Sequence, residues 1–524
     1  MRTRIPPLKV SVSQAILAMA SLALVPRTAA ALPPSDAAFG AARTLPGDVS
    51  LAVRIRGSDA LRADATLERV RGALGRMVGS RELGAAWERF AADLGMEGAV
   101  LAERLMGQDA VYAERTRAGG IEWVAIVRSE QPMQDLMVSR LKPAVGVGGR
   151  CVYPERRIAT TWRPPYLLIG PSDRTGLLDE TVARFDASGD AGSLAVDPDL
   201  APASRWDPWP VEVVLRHELP TGGLTALTAR PDDGVLRIRH RSRFERPPIH
   251  VGPGIAADRA TLRALSGTGL AAFTFGPWRG VLDPAEPLDA VLLEGGFDES
   301  MRANLGARQV ALLDDAPMRG TRVRVPSVAV AFEVRDPILA QRQWAGWARR
   351  LSDSIARRAG LQPTSSPPPW GPGEGAGVVR SIDVSAALRA LTEDHPFARG
   401  VRLAWSGRTG PGGSWMVVGS EPMLVDRLAA TVAATGRAPD EGGANELAEV
   451  SGEAVGAHLR SWLLEPGILV RGPVDDFAAA VELAAEIAAA APMVRWRASG
   501  SPGGVIEGAA EVELRPRAAA TGAR

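Results

Sequence analysis

Residues 415–432 read Trp415-Met-Val-Val-Gly-Ser-Glu-Pro-Met-Leu-Val-Asp-Arg-Leu-Ala-Ala-Thr-Val432. The pattern is a strand, a Gly-Ser turn and a helix. An earlier stretch repeats it: Tyr166-Leu-Leu-Ile-Gly-Pro-Ser-Asp-Arg-Thr-Gly-Leu-Leu-Asp-Glu-Thr-Val-Ala-Arg184. Each has an aromatic residue, three apolar residues, Gly, a polar turn and a helix ending in Thr-Val-Ala.

The neighbours of the two stretches also match in order. Leu105-Met-Gly-Gln-Asp-Ala-Val-Tyr112, Trp123-Val-Ala-Ile-Val-Arg-Ser129 and a helix opened by Pro132 precede the first. Leu305-Gly-Ala-Arg-Gln-Val-Ala-Leu-Leu313, Val328-Ala-Val-Ala-Phe-Glu-Val-Arg-Asp336 and a helix opened by Pro337 precede the second. Further upstream, Asp48-Val-Ser-Leu-Ala-Val-Arg-Ile55 is answered by Gly269-Leu-Ala-Ala-Phe-Thr-Phe275. Each half closes with a predicted hairpin, one over 224–238 and one over 494–508. Their Asp-Gly and Gly-Gly dipeptides tolerate positive φ. Five stations in one order predict an internal duplication with a period of roughly 210–250 residues. Segments such as 49–55 read as strands. Residues 59–94 read as a helix pair broken at Gly79-Ser80, with Trp87 on its apolar side. The expected fold is α+β: two similar modules, each a mainly antiparallel sheet with helices packed on one face. The modules span residues 45–250 and 262–515, and a Pro/Gly-rich loop at 362–377 interrupts the second.

The chain has 524 residues, 46% of them hydrophobic, and a formal net charge of +1. It can bury a sizeable core, and so balanced a charge gives no long-range pull toward nucleic acid or an anionic membrane. Almost all of the cations are arginine, since Lys9 and Lys142 are the only lysines. Arg2, Arg4 and Lys9, then the apolar run Ala15–Val25, then Thr28-Ala-Ala-Ala31 form the three parts of a secretory leader over residues 1–31. The alternative is an uncleaved anchor, although the run is shorter than the ~20 residues a spanning helix needs. The chain is therefore expected to be exported, to the periplasm or beyond. Membrane contact is expected only through an uncleaved leader. The single cysteine, Cys151, cannot form an intramolecular disulfide and reads as a buried small hydrophobe.

Leu45-Pro-Gly-Asp-Val-Ser-Leu-Ala-Val53 behind a leader, then a paired helix, then the Gly-Gln-Asp-Ala-Val-Tyr strand, resembles a group of exported bacterial proteins. These carry a domain of unknown function that begins with a Leu-Pro-x-Asp strand and often occurs in duplicate. The second module departs from the pattern, with Leu265-Ser-Gly-Thr268 at its start. The resemblance implies no catalytic residue.

No metal or nucleotide motif is present, and no cofactor is expected. His217, His240, His250, His395 and His458 include no pair at the i,i+3 or i,i+4 spacing that would bring two imidazoles onto one helix face. Ser139-Arg-Leu-Lys142 matches the Ser-x-x-Lys spacing of penicillin-recognising serine enzymes, with no accompanying Ser-x-Asn element. Asp232-Asp233 and Asp475-Asp476 read as turn and helix-cap residues.

The candidate binding residues lie on a surface. In Leu236-Arg-Ile-Arg-His-Arg-Ser-Arg-Phe244, strand geometry puts Arg237, Arg239, Arg241 and Arg243 on one face. Four guanidiniums about 7 Å apart make a ladder for carboxylates or phosphates, or else a solvated face paired with acids of the neighbouring strand. Trp206, Trp209 and Trp370 lie in loop-like sequence and add candidate stacking surfaces, while Trp344 and Trp347 sit at helical spacing and read as core. The functional expectation is a non-enzymatic envelope protein that binds a protein partner or an anionic envelope polymer and does not bind nucleic acid. The alternative is an exported hydrolase with an unidentified nucleophile.

Overall fold

The structure is a computed structural model. It describes residues 38–56, 88–106, 109–117, 120–129, 131–145, 150–187, 191–216, 222–232, 234–244, 257–275, 287–317, 324–362, 377–391, 400–438, 444–463, 474–501 and 504–514. The leader, residues 59–87 of the paired helix with Trp87, Trp370 and most of the 362–377 loop lie outside these residues. So do Asp233, His217, His250, His395 and the side chains of Asp475 and Asp476.

The chain divides into two compact units, one of residues 1–246 with 513–524 and one of residues 247–512. The first runs β1 (Leu51–Arg56), α1 (Gly98–Met106), β2 (Asp109–Arg117), β3 (Gly120–Arg128), α2 (Gln131–Leu141), β4 (Ala144–Val145), β5 (Cys151–Tyr153), β6 (Ile158–Arg163), β7 (Tyr166–Pro171), α3 (Gly176–Asp186), β8 (Val211–Arg216), β9 (Leu224–Asp232) and β10 (Val235–Arg243). Its antiparallel pairings give the order β4-β5-β6-β7-β3-β2-β1-β8-β9-β10.

The second continues with α4 (Arg259–Leu265), β11 (Ala271–Phe275), α5 (Pro287–Glu294), α6 (Glu299–Ala303), β12 (Leu305–Pro317), β13 (Arg324–Val334), α7 (Pro337–Arg358), β14 (Arg380–Asp383), α8 (Ser385–Leu391), β15 (Arg402–Gly410), β16 (Gly413–Gly419), α9 (Pro422–Ala434), β17 (Glu446–Ser451), α10 (Gly452–Leu463), α11 (Val474–Ala490), β18 (Met493–Ser501) and β19 (Val505–Glu513). Here the order is β14-β15-β16-β13-β12-β11-β17-β18. In the second unit β11, β12, β13, β16 and β15 follow the pairing succession that β1, β2, β3, β7 and β6 follow in the first.

Two parts of the expected fold class are corrected. The strands do not form two separate sheets, because all of them belong to one 19-stranded antiparallel sheet. An outer hairpin strand keeps a row of unpaired N–H and C=O groups, and side-chain alternation does not say whether that edge stops or continues. Nor do helices cover only one face. Trp415 and Val417 pack with Leu424, Val425 and Leu428 of α9, whereas Met416 and Val418 pack with Trp344, Trp347 and Leu351 of α7. In the first unit Leu168 joins Leu177 and Leu178 of α3, and Leu167 joins Met133 and Met137 of α2. The unbroken apolar runs at 415–418 and 166–169 follow from this: a strand covered on both faces has no polar side to alternate with.

The turns and caps explain where these helices begin. Glu421 accepts a 2.7 Å bond from the Leu424 N–H, and Pro422 occupies a first-turn position whose N–H needs no partner. Asp336 likewise accepts from Ile338 and Leu339 at 2.9 Å, ahead of Pro337.

Candidate functional site

The β9–β10 hairpin turns through Gly234, whose φ of 79° suits a residue without a Cβ. Its register sets Arg237 opposite Arg230, Arg239 opposite Thr228, Arg241 opposite Ala226 and Arg243 opposite Leu224. Paired residues share a face. Arg230 therefore joins the four arginines of the expected ladder, which sequence alternation along β10 alone did not include.

The ladder has local partners. The Arg237 Nε lies 3.2 Å from Asp232 at the end of β9. Arg243 pairs with Asp199, which a 197–199 turn holds through a 2.9 Å bond from the Asp199 N–H to the Asp197 carboxylate. Burial lowers the pKa of Arg241; Asp199 opposes that shift, and the like charge of Arg243 adds to it. Trp209 is buried at 5% exposure, with the guanidinium of Arg230 4.9 Å and that of Arg239 4.6 Å from its ring. Two cations thus grip one indole through its quadrupole. Trp206 packs on the core beside Phe39, with ring centroids 6.3 Å apart, and is half-buried rather than displayed.

The remaining candidates are dispersed. Ser139 is exposed and donates at 3.0 Å to the Leu136 carbonyl of its own helix. Lys142 follows the end of that helix at a φ of 46°, and no hydrogen bond joins the two side chains. Cys151 is buried and accepts a 3.7 Å contact from the Gln134 amide. Trp344 and Trp347 are buried in the core. His458 is buried beside Asp315 at 3.7 Å and meets Trp462 edge-on, with burial lowering its pKa; burial does the same to His240 on β10.

Three buried ionic groups were not anticipated from sequence. Arg54 binds Asp109 through two bonds of 2.8 and 3.0 Å, and Arg56 lies 3.0 Å from Glu212. Glu212 also accepts from the Phe39 N–H at 2.9 Å; burial raises its pKa against the pull of Arg56 and Arg54. Arg115 is 2% exposed and binds Glu122 at 2.6 Å, Glu180 at 2.9 Å and Asp48 at 3.2 Å. Arg308 binds Glu333 at 2.8 Å and Asp258 at 3.0 Å, donates to the Gly412 carbonyl and stacks on Trp415 at 4.8 Å. The available signal was arginine at an inward position of an apolar strand, as in Leu51-Ala-Val-Arg-Ile-Arg56. Arg54 and Arg56 balance Asp109 and Glu212, whereas Arg115 and Arg308 each gather more than one carboxylate; all three groups read as structural.

Among the described residues no cluster of three His, Cys, Asp or Glu side chains is placed to hold a metal ion, and no helix is long and apolar enough to cross a membrane. Comparison of the chain with protein-family models, curated proteins and solved structures finds no match.

Proposed function

We propose that this is an exported, non-enzymatic protein of the cell envelope that binds an acidic partner or an anionic envelope polymer through the arginine face of β9 and β10. The supporting observation is the Arg230–Arg237 pair with Trp209 gripped between Arg230 and Arg239. Like charges directly across a ladder are destabilising. Asp232 offsets part of this repulsion at Arg237. A multivalent anion offsets the repulsion, and guanidiniums bind carboxylates and phosphates bidentately. The leader at 1–31 and the resemblance to exported duplicated-domain proteins support the location. The like succession of pairings supports descent of the two halves from one copied stretch.

The test is envelope association of wild type and of the Arg239→Ser, Arg241→Ser double variant, at low and high salt. Salt-sensitive retention that the double variant loses supports the reading. Retention equal in both proteins at both salt levels removes it. A hydrolase activity probe that labels Ser139, with labelling lost in Ser139→Ala, would favour the hydrolase alternative.

A further inference from the structure

Helix α7, in the second unit, carries another basic surface. It is 22 residues long, which at 1.5 Å per residue gives about 33 Å. Trp344, Trp347, Ala348 and Leu351 face the core. The opposite side presents Arg335 just before the helix, then Arg342, Arg349 and Arg357, all exposed. Spacings of seven and eight residues keep Arg342, Arg349 and Arg357 on one side of a 3.6-residue helix, with the half-buried Asp353 between the last two, while Arg335 precedes the N-cap Asp336. None of the four makes an ion pair with a described residue, whereas Arg358 pairs with Glu294 at 3.1 Å and Arg350 donates to the Gly295 carbonyl at 2.8 Å.

Large apolar side chains stand at both ends of this row. Ile338 is 64% exposed and Leu339 42% exposed at the first turn, and Leu361 is 42% exposed just past the last. Burying apolar side chains is favourable wherever water can be left, so exposed Ile and Leu flanking unpaired arginines point to a surface that is apolar just beneath a layer of anions.

We propose that α7 docks on an anionic lipid surface, with Arg335, Arg342, Arg349 and Arg357 on the headgroup phosphates and Ile338 and Leu339 at the acyl boundary. A straight helix side meets a planar layer along its whole length. An acidic polypeptide would satisfy the arginines but would leave the isoleucine and leucine in water. The net charge of +1 conceals this row because acids elsewhere cancel it in the sum. Adhesion depends on charges within a Debye length of the surface.

The experiment sediments the full chain with phosphatidylcholine vesicles and with equimolar phosphatidylcholine–phosphatidylglycerol vesicles. The purely zwitterionic vesicles report association that does not depend on anionic lipid. Wild type should prefer the anionic vesicles and lose that preference at about 0.5 M salt, where the Debye length has fallen to about 4 Å. The Arg342→Gln, Arg349→Gln double variant should bind them roughly 25-fold more weakly, at about fivefold per arginine. Ile338→Asn with Leu339→Asn should weaken binding further at fixed charge. A folded Arg342→Gln, Arg349→Gln protein that binds like wild type overturns the proposal. So does capture by poly-glutamate without capture by anionic vesicles, which would make the occupant an acidic chain. Wild type by itself also decides, since equal sedimentation with both vesicle types refutes it.

Discussion

Replacing Glu446 with Gln should stabilise the protein at alkaline pH and leave it nearly unchanged in mild acid. Glu446 opens β17 and is 4% exposed, in register with Phe275 on one side and Ala498 on the other. Its Oε1 has no hydrogen-bond partner among the described residues. Burial, the only cause acting on it, pushes its pKa from 4.5 up to about 7. The folded state then holds this proton more tightly than the unfolded chain does. Between pH 4.5 and 7 the folded state carries more protons, so stability falls as pH rises. The gap between 4.5 and about 7, at about 1.36 kcal/mol per pH unit, amounts to about 3 kcal/mol once pH exceeds 7. Glutamine keeps the shape and never ionises. Urea unfolding of both proteins from pH 5 to pH 8 reads the difference directly. The Glu446→Gln protein should gain on wild type by about 3 kcal/mol at pH 8, and the two should agree within about 1 kcal/mol at pH 5. A gap of the same size at both ends would show that the carboxyl is not desolvated in the folded state, and the reasoning would fail.

Other outcomes follow from the buried networks and the ladder. Arg308→Met strands the carboxylates of Asp258 and Glu333 and should cost about 3–5 kcal/mol, seen as a lower urea midpoint. Trp209→Ala empties a buried site and leaves Arg230 and Arg239 without their shared ring, so about 3–5 kcal/mol should be lost in thermal unfolding. Ser139→Ala removes only a bond to the helix's own backbone on an exposed turn, and its unfolding midpoint should stay within about 0.5 kcal/mol of wild type.

Local chemistry was legible wherever it is decided by neighbours in sequence. The strand, turn and helix at 415–432 form as β16 and α9, and prolines 337 and 422 sit in the first turns of their helices. The Asp-Gly hairpin at 232–235 was legible for the same reason, since positive φ is a property of one residue. The alternation of β10 put its four arginines on one face. It could not show that Arg230 joins them, because register depends on a partner strand. Nor could it show that Arg237 and Arg243 meet Asp232 and Asp199, or that Trp209 is buried beneath Arg239 rather than displayed for a ligand.

What the sequence by itself determined is the local runs it could be read for, such as β16 with α9 and β7 with α3, and the face that alternation gives each side chain of β10. Those depend on backbone preference and periodicity over a few residues. Only the tertiary structure decided that the strands join one sheet, that helices cover both of its faces, and which arginines stay unpaired. Among these, the carboxylates of Glu122, Glu180 and Asp48 gather on Arg115, while Arg342 and Arg349 on α7 find none among the described residues. The physical reason is distance: ion pairs and sheet edges are settled between groups close in space and far apart in the chain.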